Sequence, residues 1–231
     1  MDQLASQAVA GVRTGMMVGL GTGRAAARGV HALAQRVKAE SLSISCVATS
    51  IATAELATSL GLKVVDFAQV ERVDFLFDGA DELDPHGRML KGGGGAMTRE
   101  RIVAAASTHC VNILDDSKLV KHLGERYPLP IEIIPMALAS VRARLSKDLK
   151  LEGPVRKKQD AAGKPGTDDL ISDNGNYIMD VKLTPAHDVE AIAARLDAMA
   201  GVVDHGLFLR EAQVILIEDK SGNVTKRQRQ S

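Results

Sequence analysis

The sequence predicts an α/β fold: a parallel sheet with helices on both faces, interrupted late in the chain by a smaller α+β module. Three observations carry this expectation. Short apolar strands alternate with helical segments through the first half, as βαβ units require. Pro128, Pro130 and Pro135 then punctuate a strand where the pattern changes to one with hairpins. Finally, an apolar strand follows the last helix and can rejoin the first sheet. A chain of 231 residues suits one sizeable domain with a small second one. The expected boundaries are 1–125 with 203–231 for the sheet domain, and 126–202 for the module.

In chain order, MMVGLG reads as a short buried strand and RAAARGVHALAQRVKAE as the helix after it. SISCVAT is the next strand, IATAELATSL a helix ended by Gly61, and KVVDF and DFLFDGAD are further strands. Residues 98–107, TRERIVAAAS, make a helix and CVNILDD a strand. Right-handed crossovers join these units. In the module, PLPIEIIP is a strand and ALASVRARLSKDL a helix. GPVRKK and LISDNGNYIMDVKL are antiparallel strands, with DNGN as a turn, and DVEAIAARLDAM is the second helix. This β-α-β-β-α order is that of a small ferredoxin-like α+β unit. Residues 157–170 read as a surface loop or irregular hairpin, VVDHGLFL and AQVILIE as the return, and KRQRQS as a solvated, frayed tail.

Bulk properties exclude several function classes. Acidic and basic residues balance at 29 each, so no global field recruits nucleic acid or an anionic membrane. The absence of Trp argues against base-stacking platforms. Apolar runs are broken by Gly or charge before reaching the roughly 18 residues of a membrane span. The start MDQLASQAVAGVR lacks the basic region of a secretory signal. Cys46 and Cys110, each in an apolar strand-like run, read as buried free thiols in a reducing compartment. The six histidines are scattered without metal-ligand spacing, so no metal is expected. A cytoplasmic enzyme is the expectation.

Loops at the C-terminal ends of the strands converge on a ligand crevice in such a sheet, and three polar loops fall there. GLGTGR, residues 19–24, combines glycines with a helix N-terminus and suits an anion, or is simply a tight strand-to-helix turn. Its spacing is G-x-G-x-G, and no acid ends SISCVAT to hold a ribose, so a nicotinamide dinucleotide is disfavoured. In the second loop, Asp78 and Asp81 bracket Gly79 and Ala80 at a strand end. The third, KGGGGAMTRE, begins with Lys91; Thr98 is placed to cap the following helix, and Glu100 falls in its first turn. An anion loop, two aspartates, a lysine and a glutamate suit proton transfer on a small phosphorylated substrate.

DGADELDPHGRMLKGGGGAMTRE resembles the core signature of the type A ribose-5-phosphate isomerases. The similarity continues through VGLGTG, ELATSLGL, DDSK, PLPIEIIPMA, DNGNYIMDV and GVVDHGLF, in the family's order and over nearly the whole chain. The resemblance implies interconversion of ribose 5-phosphate and ribulose 5-phosphate, in the non-oxidative pentose phosphate pathway, without metal or organic cofactor. It also implies a Rossmann-like three-layer α/β/α domain, a smaller α+β domain and a homodimer or homotetramer. By motif, Glu100 corresponds to the catalytic base, and Asp78, Asp81 and Lys91 to the other charged site residues. Thr22, Gly23, Arg24 and Ala25 fall in the phosphate-side loop; Gly79 and Ala80 join the site; Gly92, Gly93 and Gly94 line the sugar site; Lys118 matches a substrate-binding lysine. Asp78 would relay the ring proton and Glu100 move the C2 proton to C1. Asp81 would shuttle protons between O1 and O2, with Lys91 and glycine amides facing the oxyanion.

The family's first loop reads G-T-G-S-T-A, whereas here Arg24 and Ala25 replace two hydroxyl residues. Arg24 offers a charged fork to the phosphate instead, or points to solvent. With TSIATAE in place of a Ser-rich second loop, the changes gather on the phosphate side and leave the acid–base set intact. Altered phosphate recognition is the expectation. A sugar-phosphate sensor would keep the glycine loops without needing Glu100 and Lys91 together. An amino-sugar phosphate deaminase would need a different acidic motif.

Overall fold

In the computed structural model, which describes residues 2–160 and 163–228, the chain opens with α1 (Gln3–Ala8), β1 (Met17–Leu20), α2 (Arg24–Glu40), β2 (Ser45–Ala48), α3 (Ile51–Ser59) and β3 (Phe75–Gly79). Two short strands, β4 (Glu82–Leu83) and β5 (Met89–Leu90), precede α4 (Met97–Ala105), β6 (Cys110–Asp115), β7 (Leu129–Ile133) and α5 (Leu138–Arg144). Then come β8 (Lys157–Gln159), β9 (Pro165–Asp169), β10 (Tyr177–Val181) and α6 (Val189–Asp197). The chain closes with β11 (Val202–His205), β12 (Leu207–Phe208), β13 (Val214–Glu218) and β14 (Val224–Gln228).

The chain divides into two units, one of Met1–Asp81, Arg99–Leu119 and Arg210–Ser231, the other of Glu82–Thr98 and Val120–Leu209. The division departs from the expected breaks near 125 and 202. Leu90, Val120, Leu123, Leu207 and Leu209 all pack into the core of the second unit, which draws their segments with them.

The first unit is built on a six-stranded sheet of order β14-β13-β6-β3-β1-β2, parallel except for the antiparallel edge strand β14. Every residue of β3 is buried, as expected for a central strand covered on both faces. Its side chains alternate: Phe75 and Phe77 join a core with Leu4 of α1 and Val30 and Leu33 of α2, while Leu76 joins another with Val103 of α4. In α2, the buried residues Ala26, Gly29, Val30 and Leu33 recur at helical spacing and form the stripe that faces the sheet. Cys46 and Cys110 are buried free thiols.

The second unit centres on an antiparallel sheet of order β10-β7-β11. Leu129, Ile131 and Ile133 of β7 share a core with Val141 of α5 and with Val189, Ile192, Ala193 and Leu196 of α6. Alternation therefore turns Glu132 to the opposite face. Asp188 starts α6 by accepting the N–H groups of Glu190 and Ala191. A three-stranded sheet β12-β5-β4 and a hairpin β8-β9 complete the unit.

Two local expectations change, and one element was not anticipated. KVVDF is not a strand: Val64 makes one isolated bridge to Cys46, and Asp66 caps a single turn of 3-10 helix at Phe67–Gln69. The segment pairs with the edge strand β2 only at this bridge, and the turn that Asp66 caps then leads the chain away. Of the basic tail, Lys226, Arg227 and Gln228 extend β14 and pair with β13, because Asp219 and Asn223 close a tight turn; the rest of the tail lies outside the described residues. The first helix, α1, had no expectation at all; Asp2 caps it and Leu4, Ala5 and Ala8 are buried.

Candidate active site

Parallel strands present their C-terminal ends along one edge, and the chain places its polar loops there. β1 runs into Gly21 and Thr22, and its neighbour β3 carries Asp78 near its end. Asp78 is 1% exposed. Its Oδ1 accepts the N–H of Thr22 at 3.0 Å and that of Gly79 at 2.7 Å, so the carboxylate holds the first loop in shape. Gly21 permits this approach, since a Cβ there would stand 2.1 Å from the same oxygen. Gly79 lies against the Thr22 carbonyl and the Ala25 side chain. Thr22, Ala25, Asp78 and Gly79 are thus brought together; Ala80 and Asp81 follow, half-buried.

A cluster of hydroxyls supports the same loop. The Thr22 hydroxyl shares hydrogen bonds with Thr49 at 2.8 Å and with Thr53 at 3.4 Å. Ser50 Oγ donates to Thr53 Oγ1 at 2.9 Å, and Thr53 donates to the Gly21 carbonyl at 3.1 Å. Sequence alone assigned Thr49, Ser50 and Thr53 no role. Their signal was the TSIAT stretch at a strand end, three hydroxyl residues within five positions. Gly23 and Arg24 are exposed at the start of the 17-residue helix α2, whose free N–H groups favour an anion.

Glu100 reaches this edge through the crossover from β3 to β6. Past the C-terminus of α4, Ala106 O accepts from Val73 N, and Thr108 N donates to Val73 O, just before β3 begins. The last turn of α4 therefore lies by the N-terminal end of β3, and its first turn, which carries Glu100, lies toward the C-terminal edge. Glu100 is 5% exposed. Arg101, next to it, pairs with Glu211. At the same edge, β6 leads into a 3-10 turn, Asp116–Lys118, that ends on Lys118. Burial raises the Asp115 pKa, but the Ser117 hydroxyl and N–H, with Lys118, outweigh that and hold it below the usual value.

The remaining expected residues belong to the second unit. Lys91 is 3% exposed; its N–H donates to the Gly206 carbonyl at 2.9 Å and its Nζ stands 5.3 Å from the Phe208 ring centroid. Gly92 has φ +100°, which side-chain-bearing residues rarely adopt, and a Cβ would meet Pro130 Cγ at 2.8 Å. Gly93 and Gly94 are exposed. Arg156 Nη1 donates to the carbonyls of Gly92 and Gly93 at 2.8 and 3.1 Å, while Nε and Nη2 grip Asp180 at 2.8 and 2.6 Å. Sequence reading missed this clamp, for its parts lie 64 and 24 residues apart. Thr98 is not a cap: it lies within α4, 7% exposed, and donates to Glu132.

Among the described residues, no group of three or more His, Cys, Asp or Glu is placed to hold a metal ion. No helix among them is long and apolar enough to cross a membrane. The arrangement offers buried carboxylates beside an anion-suited loop, the equipment for moving a proton on a small phosphorylated molecule.

Comparison with known proteins gives one consistent result. The family described as ribose 5-phosphate isomerase A (phosphoriboisomerase A) matches residues 45–222. A ribose-5-phosphate isomerase A of Sphingopyxis alaskensis is 46% identical over 213 residues, covering 92% of this chain and 89% of that protein. The structure of a ribose 5-phosphate isomerase from Plasmodium falciparum superposes with a TM-score of 0.90 at 32% identity, covering 100% of both chains. A D-ribose-5-phosphate isomerase solved in complex with phospho-erythronic acid superposes with a TM-score of 0.87 at 30% identity, over 98% of this chain and 96% of that one.

Proposed function

The chain belongs to the ribose 5-phosphate isomerase A family, and from that premise we propose that it interconverts ribose 5-phosphate and ribulose 5-phosphate, with Glu100 moving the proton. The observation that carries the reading is the shared edge: the crossover brings the Glu100 turn to the sheet edge where Asp78 holds the Thr22 loop.

In the open-chain sugar, the Glu100 carboxylate takes the proton from C2, and the electron pair forms the C1–C2 double bond of a cis-enediolate as the C1 carbonyl becomes an oxyanion. The same carboxyl returns the proton to C1 as the O2 proton leaves and C2 becomes the ketone. Asp81 is assigned to carry the proton between O2 and O1, and Asp78 to the ring-opening proton. Lys91 and the amides of Gly92–Gly94 are assigned to the oxyanion. The helix N-terminus after Gly23, the Thr22–Thr49–Thr53 hydroxyls and Lys118 are assigned to the phosphate, with Gly79, Ala80, Arg24 and Ala25 around it.

We further read the first unit as a Rossmann-like α/β/α domain, which the two cores flanking β3 support, and the module as ferredoxin-like, which α5 and α6 on one face of β7 support. A cytoplasmic homodimer or homotetramer fits the reading; exposed Ile134, Met136, Ile171 and Val203 would supply apolar surface for a subunit contact.

The experiment is conversion of ribose 5-phosphate to ribulose 5-phosphate in the presence of EDTA, wild type against Glu100→Gln. Positioned acid–base groups typically contribute about 10²–10⁴-fold, so kcat should fall by at least about 10²-fold. A variant that turns over at the wild-type rate moves the base elsewhere; a wild type without turnover sinks the isomerase reading.

A further inference from the structure

Three of the sequence stretches singled out above have no task in the mechanism: PLPIEIIP, DNGN and the Thr98 of MTRE. They meet on one side chain. Glu132, in the middle of β7, is 0% exposed. Its Oε1 accepts Ser172 Oγ at 2.5 Å, Asn174 Nδ2 at 3.1 Å and Asn176 Nδ2 at 2.9 Å. Its Oε2 accepts the Thr98 hydroxyl and, at 3.3 Å, Asn174 Nδ2 again. The DNGN turn is itself closed by Ser172, whose Oγ accepts the N–H groups of Asn174 and Asn176 at 3.2 Å each. Burying a carboxylate this deeply is costly unless its lone pairs are filled, and here every partner donates.

We propose that Glu132 is a positioning residue for the isomerisation: through Thr98 it locks the opening turn of α4 and so aims Glu100. The inference rests on the reading of Glu100 as the base. Residues advance by about 100° around an α-helix, so Glu100 points some 200° from Thr98, toward the far side of the same turn. A helix held by one side chain in a fixed cradle loses its freedom to roll about its axis. A roll of about 20° would swing a side chain at the helix's outer radius of about 5–6 Å by about 2 Å. Misplacing a reacting group by about 1 Å costs on the order of 10²-fold in rate. The chain enters this turn from the glycine run that ends at Gly95, which supplies little stiffness of its own.

The test compares Thr98→Val, which keeps the shape and removes the donor, with Thr98→Ser, which restores it, and with Glu132→Gln, whose amide hydrogens face donors. Steady-state kinetics with ribose 5-phosphate and thermal unfolding are measured on each, beside wild type and Glu100→Gln. Thr98→Val and Glu132→Gln should lose about 10- to 100-fold in kcat with KM within about threefold, and Thr98→Ser should recover most of the loss. If Thr98→Val keeps the wild-type kcat while wild type turns over and Glu100→Gln does not, the positioning role is overturned and the base stands. A lowered melting temperature with kcat unchanged overturns that role equally. A wild type without turnover, or an active Glu100→Gln, overturns the reading of the base, and this inference with it. Should Glu132→Gln fail to fold, the Thr98 pair decides.

Discussion

Cys46 is 0% exposed in the second position of the four-residue strand β2, against the core that holds Phe75, Phe77 and Leu33. Removing it from water penalises the thiolate, which pushes the pKa up from 9.0 to about 12. The consequence for stability follows from proton binding. Below pH 9 both folded and unfolded chains keep the proton, and the group's stabilisation is fully present. Between 9 and about 12 the unfolded chain has released it while the folded chain still holds it, so stability falls as pH rises. The decline approaches about 1.4 kcal/mol per pH unit once the unfolded thiol is ionised. Urea unfolding at about pH 8, 9.5 and 10.5 should show this loss in wild type and a shallower one in Cys46→Ala. Equal slopes in the two proteins would mean that the thiol is not the source. The same burial makes Cys46 a poor nucleophile in the folded state, consistent with a packing residue.

Elements that depend on local pattern are legible in the sequence itself: α2 emerges over the span its apolar stripe marks, and β1, β3 and β6 from their apolar runs. What escaped depends on partners far along the chain. Val64 to Phe67 has strand composition but makes a single bridge to β2 before Asp66 caps a turn, and Thr98 has the chemistry of a cap but finds a carboxylate 34 residues away. The site divides likewise. Asp78, Lys91 and Glu100 stood in one contiguous signature, whereas Thr49, Thr53 and Arg156 act on loops distant in sequence. Arg156 shows what such a partner does to an element. With its fork closed on Asp180, it fixes two successive carbonyls of the glycine run and, through the planar peptides, sets which way the N–H groups of Gly93 and Gly94 face. Arg156→Ala should therefore raise KM for ribose 5-phosphate on the order of 10-fold, the worth of two hydrogen bonds of about 1 kcal/mol each less some relaxation. Arg156→Lys should recover little, since an ammonium cannot grip a carboxylate and a carbonyl pair in one plane. Initial-rate measurements over a range of substrate decide it, and an unchanged KM in Arg156→Ala would remove the clamp from the binding argument.

At the scale of the whole molecule, the chain passes between its two units after residues 81, 98, 119 and 209, so neither unit is one continuous stretch. The longest stretch of the second unit, 120–209, carries both helices α5 and α6 and the sheet β10-β7-β11, and so looks like a separable domain. Its own interior argues otherwise. Glu82, 0% exposed and outside that stretch, accepts the N–H groups of Gly124 and Arg126 at 2.6 Å each and of Tyr127 at 2.8 Å. Without it the chain entering β7 loses the acceptor that holds three of its N–H groups. Leu90 is part of the core around β7, and Thr98 fills one oxygen of the buried Glu132. A cut at 120 removes all three, and an unfilled buried polar group costs about 1–3 kcal/mol, more when it is charged. Small domains are stable by only about 5–15 kcal/mol, so the isolated fragment 120–209 should unfold without a cooperative transition near room temperature. Restoring residues 82–98, by adding them as a separate peptide or by joining them through a linker, should bring back a sigmoidal melt by circular dichroism. A fragment 120–209 that melts cooperatively alone would show that these three contacts are dispensable to the second core. Loss of cooperativity that 82–98 repairs would show that a segment carrying the proposed sugar-site glycines also completes the fold beneath them.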